Sequence, residues 1–217
     1  MEVQYENKEI CSKCGICCKK SGCDYLPKDF EEMGYKYLEE KLKEGNISIV
    51  CTCSFRVLHN GKKYVEPFLY MRARNINRPV IDLLSMKTTC KMLKEDGCSY
   101  ELGDRPSLGV NLMPKEDMKC YPLEDPLKLI KQWEPYQRVL SKLVKRISGL
   151  SVDGRLRSDI ENLFYDVMSK NFEGVSLIEL EDIKKMLPLL IEVYPCEYTN
   201  AKERLKKEKY PLVMNMN

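Results

Sequence analysis

The sequence predicts an α+β fold that is mainly helical, and three observations lead to this prediction. Ten of the eleven cysteines lie in the first 125 residues, many of them next to turn residues. Apolar and polar residues alternate over residues 47–58, and apolar residues recur at helical spacing after residue 125. We therefore expect residues 1–125 to form an irregular, metal-organised cysteine-cluster domain with a β-hairpin. Residues 126–217 are expected to form a helical bundle packed on it.

The densest chemical signal is the run CSKCGICC, which extends from Cys11 to Cys18 and is followed by Cys23. Gly15 permits a tight turn that can bring several sulfurs to one side, and thiolates at this spacing suit zinc or one face of an iron–sulfur cluster. Disulfides are disfavoured because the N-terminus has no basic start and no apolar run. We therefore expect no signal peptide and a cytoplasmic protein with reduced thiols.

A second group of cysteines follows in the same half of the chain. Cys90 and Cys98 flank the turn signal Asp96-Gly97, and Cys120 follows beyond Pro114. Each lies next to turn residues, as metal ligands often do. The predicted metal ligands are Cys11, Cys14, Cys17, Cys18, Cys90, Cys98 and Cys120.

The remaining candidates are weaker. Cys51 and Cys53 lie two apart on a predicted strand, so they point the same way; they are either further ligands or core thiols, and we favour the core. His59, the only histidine, lies beside the turn signal Asn60-Gly61 and is expected to be exposed. An all-thiolate set leaves zinc or an iron–sulfur cluster, and we favour a 4Fe–4S cluster over zinc.

The sequence also predicts the helices and strands that surround these cysteines. We expect a helix over residues 27–45 that ends at Gly45, then a strand over 47–58 and a return strand over 63–72. In the second half, Asp125 and Pro126 predict the start of a helix that Pro135 kinks. Two further helices are expected, one around residues 160–168 and one that starts at a capping box at Ser176. Residues 202–209 are expected to form a charged helix end.

The first cysteine run, together with Cys90, Cys98 and the following Arg105-Pro106, resembles the CxxCxxCC zinc- or iron-chelating family (YkgJ-like cysteine-cluster proteins). The resemblance covers about residues 10–122 and implies a cysteine-bound metal centre. Many members have a further cysteine shortly after the Arg-Pro pair. Gly109 stands at that position here, and Cys120 is the candidate replacement.

Composition narrows the function. The net charge of +3 is too mild for nucleic-acid binding, no apolar stretch reaches a membrane span, and no glycine-rich nucleotide loop follows a strand. The preferred hypothesis is a metal-binding protein with a structural or redox centre, whose helical half recognises a protein partner. One alternative is an enzyme like the flagellin lysine N-methylases, a branch of the resembled family. Another is a thiol–disulfide switch of Cys17, Cys18 and Cys23.

Overall fold

The computed structural model has an α+β, mainly helical architecture. It describes residues 15, 18, 23–74, 80–84, 90–95, 97–99, 104–113, 121–171 and 177–209. The strands are β1 (Ile47–Val57), β2 (Lys63–Ala73), β3 (Leu93–Lys94), β4 (Gly97–Cys98), β5 (Leu112–Met113) and β6 (Tyr121–Pro122). The helices are α1 (Tyr35–Lys43), α2 (Ser107–Val110), α3 (Pro126–Ile130), α4 (Gln137–Ser148), α5 (Val152–Ser169), α6 (Leu177–Val193) and α7 (Pro195–Lys209).

The predicted hairpin is confirmed, and it is the longest sheet structure in the described residues. β1 and β2 pair antiparallel from Ile47 opposite Ala73 to Val57 opposite Lys63. Gly61 takes a φ of +79° in the turn, a conformation that a residue without a Cβ adopts at no steric cost. β3 with β4, and β5 with β6, form two much shorter antiparallel pairs.

Both outer edges of the hairpin are hydrogen-bonded to further chain. On the β1 side, the N–H groups of Ile49 and Cys51 donate to carbonyls in segment 80–84 at 2.8 and 3.0 Å. On the β2 side, segment 23–25 makes two backbone hydrogen bonds of 2.9 and 2.8 Å. The hairpin therefore becomes the centre of a wider sheet, and the segment after the first cysteine run becomes part of it.

The predicted start of the first helix at residue 27 is wrong. Pro27–Asp29 forms a single 3₁₀ turn, and α1 begins only after Gly34. The reason is the carboxylate of Asp29, which accepts hydrogen bonds from the N–H groups of Leu26 at 2.8 Å and Ser107 at 2.9 Å. This carboxylate therefore bonds both to the residue before the turn and to the first residue of α2. The chain continues from Phe30 in an extended conformation instead of a helix.

The helical half follows its sequence signals closely. The Asp125 side chain accepts from the N–H of Leu127 at 3.0 Å and caps α3, as predicted. Pro135 lies in a 3₁₀ segment, Lys131–Tyr136, that joins α3 to α4 and accounts for the predicted kink. The capping box at Ser176 lies outside the described residues. No helix within the described ranges combines the length and the apolar character needed to cross a membrane.

Two side chains of the helical half dock on the sheet. Trp133 is fully buried, and its Nε1 donates to the carbonyl of Tyr25 at 2.8 Å. The Gln137 amide accepts from the N–H of Leu69 at 2.9 Å and donates to its carbonyl at 2.8 Å. Gln137 thus makes the two backbone hydrogen bonds that a neighbouring strand would make with Leu69. The buried apolar residues before and after position 125 belong to one hydrophobic core.

We predict that Gln137→Ala lowers the free energy of unfolding by about 2–4 kcal/mol, because it leaves two backbone groups of β2 without partners. Denaturant unfolding measures the change. Arg138→Ala, at the exposed neighbouring position, is the matched control and should change the free energy little. Equal losses in the two variants would contradict the strand-like role of Gln137.

Candidate metal centre

The structure brings one cysteine of each block together. The N–H of Cys90 donates to the carbonyl of Cys18 at 2.6 Å, and the two residues are only 5% and 8% exposed. Gly15, inside the first run, is buried and has a φ of +54°, a conformation that a residue without a Cβ adopts readily. One buried thiol from each block therefore lies in the same part of the molecule.

Cys98 lies on the far side of a short bend from Cys90. β3 and β4 pair through Leu93 and Cys98, and Gly97 takes a φ of +114° in the bend. The carbonyl of Cys90 accepts from the N–H of Leu93 at 3.1 Å, which joins Cys90 directly to this small hairpin. The expectation that Cys90 and Cys98 flank a bend is confirmed.

The other predicted ligands, Cys11, Cys14, Cys17 and Cys120, lie outside the described residues. Within the described ranges, no three side chains of His, Cys, Asp or Glu are grouped closely enough to hold a metal ion. The described part of the site therefore consists of the Cys18–Cys90 junction and its surroundings, and the full ligand set stays a prediction.

Cys23 belongs to these surroundings, although the predicted ligand set did not include it. Its carbonyl accepts from the N–H of Ala73 at 2.8 Å, which fixes it at the edge of β2. Its side chain fills the space above Gly109: a Cβ built on Gly109 would lie 2.7 Å from the Cys23 Sγ. No signal in the sequence indicated this contact, because Cys23 and Gly109 lie far apart along the chain.

Arg72 gives this region a buried positive charge. Its Nη2 donates to Asp24 at 3.0 Å and to the Tyr70 hydroxyl at 2.9 Å. Burial by itself lowers the pKa of Arg72, but the neighbouring Asp24 and Tyr70 outweigh it and raise this pKa above its usual value. The Cys23 thiolate acts in the same direction, so Arg72 and Cys23 are close enough to interact electrostatically.

Arg74 adds a second buried guanidinium. Its side chain is fully buried and lies 4.0 Å from the Asp82 carboxylate. Burial lowers the pKa of Arg74 to about 10, and repulsion from Arg72 contributes to the change. Its backbone N–H bonds to the carbonyl of Asn46 at 2.7 Å, and the Asn46 side chain accepts from Lys91, the neighbour of Cys90, at 2.6 Å. Arg74 is thus linked to the strand end that holds Cys23 and to the segment that holds Cys90.

These residues fit a thiolate-bound metal. His59 is exposed at the hairpin turn, as predicted, at the opposite end of β1 from the strand end near Cys23. Four thiolates around a divalent ion leave a net charge of about −2, which buried cations nearby stabilise. The donor chemistry therefore suits zinc and an iron–sulfur cluster alike, and the buried arginines, although they face Asp24 and Asp82, are compatible with added thiolate charge.

Cys51 and Cys53 form a separate pair. They lie on one face of β1, as predicted, with their Sγ atoms 3.5 Å apart, and both are half-buried against the edge of the core. Cys51 is opposite Leu69 in the register, four positions from the strand end near Cys23, a distance of about 13 Å along the strand. They therefore lie apart from the strand end that holds Cys23.

No protein-family model matches the chain, and no significant match to it was found among curated proteins or solved structures. The resemblance to the CxxCxxCC family accordingly stays a prediction that depends on the cysteines and the Arg-Pro pair.

We predict that Gly109→Ala destabilises the protein by about 1–3 kcal/mol, because the new methyl group overlaps the Cys23 side chain. Thermal or denaturant unfolding measures the loss. Gly34→Ala is the matched control, since Gly34 has a φ of −73° and the nearest atom to its Cβ is 3.9 Å away. A Gly109→Ala variant as stable as the Gly34→Ala variant would show that Cys23 is not held in this position.

Proposed function

We propose that this protein is a cytoplasmic cysteine-cluster protein that binds an iron–sulfur cluster or zinc through thiolates, and that the metal centre has a structural or redox role. The observation that carries the proposal is the 2.6 Å backbone hydrogen bond between Cys90 and Cys18, which joins the two cysteine blocks inside the core. Buried thiols from distant parts of a chain meet in this way at metal sites and at disulfides. Reduced cytoplasmic conditions favour the metal.

The proposed ligands come from both blocks. They are drawn from Cys11, Cys14, Cys17, Cys18, Cys90, Cys98 and Cys120. Cys23 joins them as a further candidate, because its thiol lies where a side chain at position 109 would otherwise be. Since the resembled family often carries a cysteine at that position, Cys23 can supply the same thiol from the facing segment.

The surrounding charges support a thiolate centre. Arg74 is fully buried and Arg72 nearly so, with its side chain 14% exposed. Asp24 and Asp82 already face these two guanidinium groups, and a metal–thiolate group nearby would add further negative charge that buried cations stabilise. Arg72, which interacts electrostatically with Cys23, therefore suits a site that carries thiolates.

The metal would organise the N-terminal half. Backbone hydrogen bonds and the hydrophobic core hold segment 23–25 and the segment that begins at Cys90, whereas the first cysteine run is short and contains Ser12, Lys13 and Gly15 between its cysteines. Ligation supplies folding free energy to such segments. We assign partner recognition to the helical half, where the end of α7 presents a mostly exposed, charged surface over residues 202–208.

The first test is the metal and acid-labile sulfide content of the protein purified without oxygen, together with its absorption spectrum. Equal amounts of iron and sulfide with visible absorption would establish an iron–sulfur centre, and zinc in a colourless protein would establish a zinc site. A protein with neither metal above background after reconstitution with iron and sulfide, or with zinc, would overturn the proposal.

We predict that Cys18→Ser and Cys90→Ser each remove most of the bound metal, because each deletes a buried thiol at the junction. Cys196→Ser is the matched control: Cys196 is exposed on α7, and its replacement should leave the metal content unchanged. Unfolding curves of each variant separate loss of ligand from loss of fold. Full metal occupancy in both junction variants would exclude these cysteines as ligands.

The role of Cys23 has its own test. Cys23→Ser should reduce metal content, and the double variant Cys23→Gly with Gly109→Cys should restore it, since the thiol then enters the same space from α2. A Cys23→Ser variant that retains its metal would assign Cys23 to packing alone.

A further inference from the structure

The pair Cys51 and Cys53 has a geometry that the metal centre does not explain. Their Sγ atoms are 3.5 Å apart, in hydrogen-bond contact, on the same face of β1. Neither belongs to a group of three potential metal ligands among the described residues. Two thiols in contact without a third ligand are suited to exchange with a disulfide rather than to metal binding.

The two thiols have different electrostatic properties. The hydrogen bond to Cys53, together with burial, raises the pKa of Cys51 well above its usual value. The same hydrogen bond lowers the pKa of Cys53, although burial opposes this. Either sulfur can donate in this contact, and the opposite pKa shifts favour Cys53 as the thiol that ionises first, with Cys51 as the neutral thiol beside it.

The charged groups around the pair reinforce this order. Asp159 and Asp82 both lie near Cys51 and raise its pKa further. Asp159 is itself paired with Arg155 at 2.7 Å, which reduces its effect. Near Cys53 the titratable neighbour is Tyr194, whose pKa is raised mainly by burial and then by the Cys53 thiolate. On β2, Tyr70 is the group that interacts with Cys51, and burial raises the pKa of Tyr70 to about 12.

The pair also lies beside an open surface. A groove of about 470 Å³ separates the hairpin from the junction of α6 and α7, and its lining includes Tyr64, Val65 and Tyr194. Val65 and Pro67, the residue opposite Cys53, lie two positions apart on β2 and so share a face of the sheet. Neither thiol lines the groove itself, but Tyr194, which does, interacts electrostatically with Cys53. Both thiols are only half-buried, so each keeps some exposure to solvent.

We propose that Cys51 and Cys53 form a redox-active dithiol that exchanges with low-molecular-weight disulfides. The Cys53 thiolate attacks one sulfur of the small disulfide, forms a mixed disulfide, and expels one thiolate. Cys51 then loses its proton to solvent and attacks the Cys53 sulfur, which closes the Cys51–Cys53 disulfide and expels the second thiolate. The protein thiols lose two electrons and two protons overall, and the small disulfide becomes two thiols.

Strand geometry makes the oxidised form easy to reduce. Residues two apart on a strand have Cα atoms about 6.6–6.8 Å apart, at the upper limit for a disulfide. Closing the bond therefore requires β1 to shorten around Thr52, which is paired with Phe68. A disulfide under such strain has a higher reduction potential than an unstrained structural one, so the reaction is reversible under cellular conditions.

The test uses the full-length protein in buffers of oxidised and reduced glutathione, followed by rapid alkylation, tryptic digestion and mass spectrometry. Cleavage after Lys43 and Arg56 yields one peptide, residues 44–56, that contains both thiols and no other cysteine. We expect this peptide to lose two hydrogens in the majority of molecules in the oxidised buffer, and to recover them on addition of reduced glutathione. Cys51→Ser should instead stop at the mixed disulfide on Cys53.

The alternatives are separable. A wild-type peptide that stays fully alkylated in the oxidised buffer, or that accumulates only the glutathione adduct, would overturn the proposal. Cys196→Ser is the control for exposed thiols, and its peptide 44–56 should behave as in the wild type. Metal content measured on the same samples keeps this result independent of the proposed metal centre, because either proposal can fail while the other holds.

We also predict a pH order of alkylation within this peptide. Because the pKa of Cys53 is lowered and that of Cys51 is raised, iodoacetamide should modify Cys53 at a pH where Cys51 is still protonated and unreactive. Fragment-ion spectra that locate the label over a pH series provide the measurement. Equal labelling of the two cysteines across the series would contradict the shared-proton arrangement.

Discussion

The hydrogen-bonding of the hairpin edges is the constraint on which the rest of this structure depends. A two-stranded sheet has two edges with unpaired backbone groups, and a sheet this long inside a core needs partners for both. Segment 80–84 supplies them on β1, and segment 23–25 and the side chain of Gln137 supply them on β2. These same contacts set the position of Cys23 and attach the helical half.

This arrangement explains why a chain with a cysteine-rich half and a helical half has one continuous core. Trp133 is buried on the sheet side of its segment and donates to the carbonyl of Tyr25, close behind Cys23. Phe30 packs edge-on against the same ring with a centroid distance of 5.9 Å. The cysteine segment is therefore held by aromatic contacts from the helical half as well as by the strand edge, and the position of the proposed metal centre depends on both halves.

Local signals predicted much of the fold. Alternation over residues 47–58, the Asn60-Gly61 turn and the Asp125 cap act within a few residues, and the structure contains the corresponding strands, turn and helix start. The helix expected from residue 27 failed because the Asp29 carboxylate bonds to Ser107, a residue far along the chain. A sequence window around Asp29 contains no information about that partner.

The candidate site was predictable in the same uneven way. Spacing alone indicated that Cys90 and Cys98 flank a bend and that Cys51 and Cys53 face the same way. The contact between Cys23 and Gly109 could not be read from spacing, because it depends on how segment 23–25 meets α2 through the sheet edge. Likewise, nothing in the local sequence indicates that the side chains of Arg72, on β2, and Arg74, directly after it, are buried.

The hydrogen bond between Trp133 and Tyr25 has a consequence for the order of events during synthesis. The ribosome releases the first cysteine block long before residue 133, so the nascent chain presents these thiols before the contact of Trp133 with the neighbouring segment 23–25 can form. Compact folding of the N-terminal half must wait for α3 and α4 to emerge. The interval between the two is the period in which the proposed metal ligands are accessible before the contact between Trp133 and Tyr25 forms.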